Sequence, residues 1–177
     1  NVINVYSTCI TYSNPDVVAD AASGLALCIN DQGLNYRILC TPQNYDNFKS
    51  MVTRNTVSRI KNQLLWALGF VLQNASKIND EEVVRELCAD KLIFKLTEGL
   101  STMDSKLCRH ILFTIKEMMI RYPYIAGYLE DACAIGTINE YSMTHKNEDC
   151  SKIAGQIMNI IDGKTLDMEL EVEEEIP

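Results

Sequence analysis

The sequence lacks long apolar runs and any excess of basic residues. No apolar stretch approaches the roughly 20 residues that cross a bilayer, so we expect no membrane partner. The 177 residues include 16 Lys and Arg against 24 Asp and Glu, a formal net charge of −8. Because nucleic-acid-binding domains need a clear basic excess, we expect no nucleic-acid partner.

Metal-binding and catalytic signatures are also missing. The seven cysteines form no CxxC pair, and the two histidines, His110 and His145, lie apart from other candidate ligands. A zinc site needs clustered Cys or His ligands, so the cysteines are interpreted as buried free thiols in a reducing compartment. The chain has no phosphate loop, GxSxG or HExxH motif. We therefore expect no metal, no cofactor and no enzyme activity.

Helical patterns dominate what is present. Four segments carry apolar residues at every third or fourth position, which is typical of helices with one buried stripe. These segments are residues 16–30, 56–74, 104–121 and 147–162. Pro15 fits the first turn of the first helix. Since alternating strand patterns are scarce, the sequence predicts an all-α chain.

The four long segments align with one another. Their central apolar residues register at spacings of 43, 47 and 42 residues, at Leu25, Leu68, Ile115 and Ile157. Two shorter helices fit between successive long ones, near 81–88 and 91–100 and again near 123–133 and 135–143. A period of about 40–47 residues with two or three helices per unit is typical of armadillo and HEAT repeats. The sequence predicts about three and a half such repeats, near 1–30, 31–78, 79–121 and 122–163.

The repeat domain is expected to span residues 1–165. The first residue is Asn1 rather than Met, there is no signal peptide, and the first unit lacks its first helix. Because residues 1–10 do not resemble the polar cap of a solenoid end, we expect further repeats before Asn1.

An acidic tail, residues 166–177, is expected after the repeats. It contains six of the 24 acids, so the body is nearly neutral, with 18 acids against 16 bases. The tail acids include Glu169, Glu171, Glu173, Glu174 and Glu175. From its composition the tail is either a solvated disordered end or an autoinhibitory segment that folds onto a basic patch.

Registering the long helices brings polar and aromatic residues onto one face. The second and third units contribute the candidate site residues Arg59, Asn62, Gln63, Trp66, Phe70, Lys106, Arg109, His110 and Phe113. The middle of this face is aromatic and mildly basic, and acids lie at its ends, at Asp16, Asp20 and Glu148. We interpret it as a peptide-binding groove whose aromatics anchor apolar side chains and whose cations pair with carboxylates. The alternative is that Trp66 packs against the next repeat and the charges form a solvated face. His110 alone is interpreted as a surface histidine.

Two stretches of the second half carry a family resemblance. Residues 100–106, LSTMDSK, resemble the turn into the third helix of the penultimate armadillo repeat of importin-α, the nuclear-import adaptor. That family's last repeat is resembled by two further stretches, YLEDA at 128–132 and HKNED at 145–149. Ile138 and Ile160 belong to the same resemblance. An acidic tail after the last repeat is similar to the family's layout. Sequence motifs support the resemblance over about residues 75–177. Over residues 1–75 it rests only on the alignment of the repeats.

This resemblance implies a right-handed superhelix whose third helices line a concave groove. In importin-α, groove tryptophans sandwich cargo lysines and arginines, and an Asn four residues later fixes the cargo backbone. Trp66 falls at such a tryptophan position, but Phe70 replaces the Asn and Gln63 replaces a Glu. One repeat earlier, Ser23 and Leu27 replace the Trp and the Asn. We therefore expect weak binding of a simple Lys/Arg-rich signal.

The sequence predicts a non-enzymatic adaptor, similar to the C-terminal part of importin-α, that binds protein cargo or a peptide motif. The resemblance implies that the protein shuttles between cytoplasm and nucleus. It also implies two partners, a CAS-type export receptor that engages the tail region and importin-β, which would bind a missing N-terminal segment. The alternative is a generic armadillo scaffold, for example an Hsp70 co-chaperone of the armadillo type, that binds a different partner.

Overall fold

Helices make up the architecture of the chain. A computed structural model describes residues 1–30, 35–144 and 146–164, and these ranges contain eleven α-helices, one 3-10 turn and no strand. The helices are α1 Val2–Cys9, α2 Pro15–Asn30, α3 Asn35–Leu39, α4 Pro42–Thr53, α5 Ser58–Lys77, α6 Glu81–Ala89, α7 Leu92–Glu98, α8 Ser105–Arg121, α9 Ile125–Asp131, α10 Ala134–Thr144 and α11 Glu148–Ile161, and the 3-10 turn is Gly99–Ser101. The prediction of an all-α chain with four long helices is confirmed, with each end within a few residues of its predicted place.

Three of the four long helices start at a side-chain cap. The Asn14 side chain accepts hydrogen bonds from the Asp16 and Val17 amides at 2.9 and 3.4 Å. The Asp104 carboxylate caps α8, and Asn147 caps α11. These side chains satisfy backbone N–H groups that have no partner inside the helix. At the start of α5 the capping position is Val57, which makes no such bond.

Three connections between helices contain a residue with left-handed backbone conformation. Asn79, Lys91 and Cys133 have φ values of 58°, 60° and 54°. Lys91 lies between α6 and α7, and Cys133 lies between α9 and α10. Since a left-handed residue stops helical hydrogen bonding, these positions separate the short helices of the third and fourth units.

The long helices stack in series. α2 packs on α5, α5 on α8, and α8 on α11. The registered residues Leu25, Leu68, Ile115 and Ile157 are all fully buried in the single core cluster. The short helices lie behind this row, where α4 contacts α1 and α7. The arrangement is a right-handed helical solenoid of about three and a half units, and the row of long helices forms one of its faces.

Tyrosine–aspartate contacts join the second and third units. The Tyr36 hydroxyl donates to Asp80 at 2.7 Å, and the Tyr45 hydroxyl donates to Asp90 at 2.6 Å. Hydrogen bonds from Lys49 and Tyr45 hold the pKa of Asp90 below its usual value. Asp80 stands at the N-cap position of α6, and its carboxylate is engaged by Tyr36 and Arg37.

No helix within the described ranges combines the length and the apolarity that a bilayer crossing requires. The predicted tail, residues 166–177 with Glu169, Glu171, Glu173, Glu174 and Glu175, lies outside the described residues, as does His145.

Candidate functional site

A pocket opens on the face of the long helices between α2 and α5. This groove pocket has a volume of about 320 Å³ and is lined by Ser23, Ala26, Leu27, Asn30, Gln63, Trp66 and Phe70. Leu27 of α2 is 72% exposed, so its apolar side chain is accessible to a ligand. The structure thus brings the predicted residues Gln63, Trp66 and Phe70 together with residues of the preceding helix.

The groove pocket has no charged lining residue. Its polar groups are the Ser23 hydroxyl and the side-chain amides of Asn30 and Gln63. Among the described residues, neither of these two amides makes a hydrogen bond, whereas the Ser23 hydroxyl donates to the Ala19 carbonyl at 3.0 Å. Free amides can both donate to and accept from an extended peptide backbone, so the pocket combines an apolar floor with backbone-binding groups.

Trp66 lies at the junction of three helices. Its ring stacks on His110 of α8 with centroids 4.2 Å apart, and the Phe70 centroid lies 5.7 Å away. Both aromatic rings are half-buried against the core. One side of the indole is therefore covered by α8, while the ring also contributes to the groove pocket.

His110 is buried, and its interpretation as a surface histidine is wrong. The residue is only 8% exposed because its imidazole fills the space above Gly69 of α5. A Cβ atom at Gly69 would come within 2.2 Å of the His110 Nε2 atom. The two helices approach closely here, and the absence of a side chain at Gly69 makes room for the ring.

A buried polar network holds the imidazole. His110 Nε2 lies 3.2 Å from the Trp66 carbonyl, and Nδ1 lies 3.3 Å from the Gln73 amide nitrogen. A neutral ring that donates from Nε2 and accepts at Nδ1 satisfies both contacts. The Gln73 amide also donates to Thr114 at 2.7 Å. Burial lowers the pKa of His110 to about 4, so the ring is neutral near pH 7.

Two basic residues of the face, Arg59 and Arg109, lie near acids of neighbouring units. Arg59 lies 4.0 Å from Asp16 and 3.5 Å from Asp20, and Arg109 lies 3.4 Å from Asp149. All of these side chains are at least half exposed. Exposed pairs contribute little to stability, but they cancel much of the positive charge expected at the centre of the face.

The remaining predicted residues lie outside the groove pocket. Phe113 is half-buried, with the Lys116 ammonium 5.1 Å from its ring centroid. Lys106 is exposed and forms no ion pair with any described residue. The Asn62 side-chain oxygen is buried and makes no hydrogen bond within the described part of the chain.

Sequence reasoning left α2 out of the candidate site. Ser23 and Leu27 enter the prediction only as departures from the pattern of the resembled family, yet they form one wall of the groove pocket. Their registration with Trp66 and Phe70, at a spacing of 43 residues, is the signal that could have placed them there. Across residues 1–30, 35–144 and 146–164, no group of three His, Cys, Asp or Glu side chains could hold a metal ion.

Comparison with known proteins identifies the fold. No family model matches the sequence, and no curated protein matches it either. A designed armadillo repeat protein in complex with the peptide (KR)4 superimposes with a TM-score of 0.72 at 13% identity, covering 89% of this chain and 63% of that chain. Computationally designed armadillo repeat proteins for modular peptide recognition give a TM-score of 0.75 at 12% identity, with coverage of 89% and 63%.

A third similar structure is an engineered protein with a TM-score of 0.73 at 13% identity, covering 93% of this chain and 64% of that chain. The chain thus spans just under two thirds of the length of these structures. At these identities the likeness shows the fold, and the chain has the armadillo-repeat solenoid fold.

Proposed function

We propose that the chain is a non-enzymatic scaffold that binds an extended segment of a partner protein along the face of α2, α5, α8 and α11. The groove pocket carries this proposal, because it places half-buried aromatic rings beside an exposed leucine and free side-chain amides. Interfaces obtain most of their affinity from a few such aromatic anchors, and amides bind an extended backbone.

The pocket is suited to an uncharged apolar side chain. A lysine or arginine in it would meet no carboxylate, since none lines the pocket. The nearby acids Asp16 and Asp20 pair with Arg59, and one side of Trp66 stacks on neutral His110. Placing a cation in a partly buried site without a counter-charge is unfavourable, so we expect leucine or phenylalanine at this point of the ligand.

The resemblance of residues 100–106 and 145–149 supports a more specific proposal. In it the chain acts as an importin-α-like adaptor that shuttles between cytoplasm and nucleus, with a CAS-type export receptor and importin-β as further partners. Asp104 and Asn147, which belong to these stretches, cap α8 and α11. Because capping explains both residues, the nuclear-import role rests on the remaining motif positions and on the layout of the chain.

The single tryptophan provides a direct assay for the groove. Trp66 is the chain's only tryptophan, so its emission reports on the groove pocket without a label. We expect blocked nonapeptides with a central Leu or Phe in a Ser/Gln background to shift this emission. A central Lys should bind at least about fivefold more weakly, because an unpaired cation is disfavoured there.

Variants separate groove binding from non-specific binding. Leu27→Gln changes an exposed pocket residue and should weaken binding of the Leu peptide, whereas Met103→Ala, fully exposed outside the pocket, should not. The peptide (KR)4 tests the import proposal. Tight (KR)4 binding would show that the groove accepts a basic cargo, and no response of Trp66 to any peptide would remove the peptide-binding proposal.

A further inference from the structure

A second cavity lies away from the groove pocket, between the α1–α2 turn and the α4–α5 turn. This edge pocket has a volume of about 560 Å³, larger than the groove pocket, and none of the predicted site residues lines it. Val18 and Met51 form part of an apolar wall. Tyr12 and Val57 stand at its rim and are 52% and 61% exposed. Large apolar side chains exposed around a concavity are typical of a binding surface.

Three groups that favour an anion belong to Arg54, to Thr56 and to the start of α5, all at this pocket. Arg54 is exposed and forms no ion pair with any described residue. The Thr56 hydroxyl oxygen is buried and has no hydrogen-bond partner in the described part of the chain. The first N–H groups of α5 are uncapped, because Val57 has no side-chain acceptor, and the first turn of α5 contains no acid.

The other long helices show what is missing at α5. Asn14, Asp104 and Asn147 each place a side-chain oxygen at the corresponding helix start. At α5 such an oxygen could come only from another residue or from a ligand. Two carboxylates of α2 lie near this end, those of Asp16 and Asp20, and both pair with Arg59, at 4.0 and 3.5 Å.

We propose that the edge pocket binds a carboxylate carried beside an apolar side chain on a segment of a partner protein. The carboxylate oxygens would accept hydrogen bonds from the Arg54 guanidinium and the free N–H groups of α5, and from the Thr56 hydroxyl once its side chain rotates to bring the buried oxygen to the pocket. The neighbouring apolar side chain would pack on Val18 and Met51. One guanidinium with a helix N-terminus matches a monoanion, whereas a phosphate dianion would call for more positive charge than the pocket holds.

Amide shifts measured by NMR on the complete chain test this proposal. The probe is acetyl-Leu-Glu-Leu-amide, and the matched neutral probe is acetyl-Leu-Gln-Leu-amide. We expect the Glu peptide to shift the backbone amides of Ser58 and Arg59, with the Gln peptide roughly fivefold to tenfold weaker. Inorganic phosphate should produce smaller shifts at the same total concentration, since it has no apolar group for Val18 and Met51.

Three variants decide the assignment. Arg54→Gln should weaken binding of the Glu peptide to the level of the Gln peptide, while Lys91→Gln, which removes an exposed charge elsewhere, should leave it unchanged. Thr56→Val should keep or raise the stability of the fold, because it removes an unpaired buried hydroxyl, and should still weaken binding. Equal binding of both peptides, shifts confined to other amides, or phosphate binding as tight as the Glu peptide would each overturn the proposal. Because the edge pocket shares no residue with the groove pocket, failure of this proposal would leave the proposed peptide binding at the groove pocket standing.

Discussion

At the scale of single residues, the contact between Gly69 and His110 fixes how α5 meets α8. Glycine inside a helix usually costs about 0.5–1 kcal/mol relative to alanine. Here it leaves the space that the imidazole fills. The ring then stacks on Trp66 and bonds to its carbonyl, so the loss of helix propensity is offset by packing between two units.

Gly69→Ala is therefore expected to destabilise the fold, although alanine is the better helix former. Overpacking a core costs about 1–3 kcal/mol, and the new Cβ would meet the imidazole at 2.2 Å. In a His110→Ala background the same change should become stabilising, by about 0.5–1 kcal/mol. Urea unfolding of the four proteins measures both effects, and the same sign in both backgrounds would contradict the contact.

Burial of His110 also predicts a pH dependence of stability. Its pKa is about 4 in the fold and about 6.5 in an unfolded chain. The unfolded chain takes up the proton first as the pH falls, so stability is full above pH 6.5 and declines towards pH 4. The total loss should reach about 3 kcal/mol. Asp90 has a lowered pKa, so its contribution is lost only at lower pH.

NMR titration of the His110 ring measures this directly. The ring should stay neutral at pH 5 in the folded chain, and urea unfolding at pH 7 and pH 4.5 should show the loss of stability. A ring that titrates near pH 6.5 would contradict the burial.

At the scale of helices, the start of α8 depends on one carboxylate. Asp104 accepts hydrogen bonds from the Lys106 and Leu107 amides at 3.0 and 3.2 Å. Removing an N-cap typically costs about 1 kcal/mol, so Asp104→Ala should lower the free energy of unfolding by that amount. Asp131→Ala, at an exposed position at the end of α9, is the matched control and should change it by less than about 0.5 kcal/mol. Equal effects in chemical denaturation would argue against the cap.

The contact between α4 and the α6–α7 turn gives a second test. Tyr45 is largely buried and donates to Asp90 at 2.6 Å. Tyr45→Phe removes this bond and leaves Asp90 with Lys49, so we expect a loss of about 1 kcal/mol. Tyr12→Phe changes an exposed hydroxyl and should have no effect on the urea midpoint. A midpoint unchanged in both variants would mean that the bridge contributes nothing.

At the scale of the whole molecule, the helices could be predicted because each long segment repeats its apolar stripe. The contacts between side chains of neighbouring helices are harder to predict, because the periodic stripe does not indicate which residue of the next helix lies opposite. The burial of His110 depends on Gly69, 41 residues earlier, and nothing in its own segment indicates this. The pairing of Arg59 with Asp16 could have been foreseen, because these residues stand at the same registered position, 43 residues apart.

The edge pocket could not be predicted from the stripes. It arises where two turns from successive units face each other, and turn geometry is not encoded in helical periodicity. Between the last two units the corresponding junction holds Tyr141, whose hydroxyl donates to the Leu100 carbonyl. A single side chain near the end of the short helix α10 thus bridges the two units at that junction.

Because α2, α5, α8 and α11 stack in series, a change in orientation at one junction is transmitted along the solenoid. Each unit is oriented only by its neighbours, so a small rotation at one junction is carried to every unit beyond it. The distance at which α8 approaches α5 is set by the imidazole above Gly69. We therefore expect a change in side-chain volume at this contact to alter the pitch of the superhelix, and with it the spacing at which a ligand with repeated anchors follows the groove.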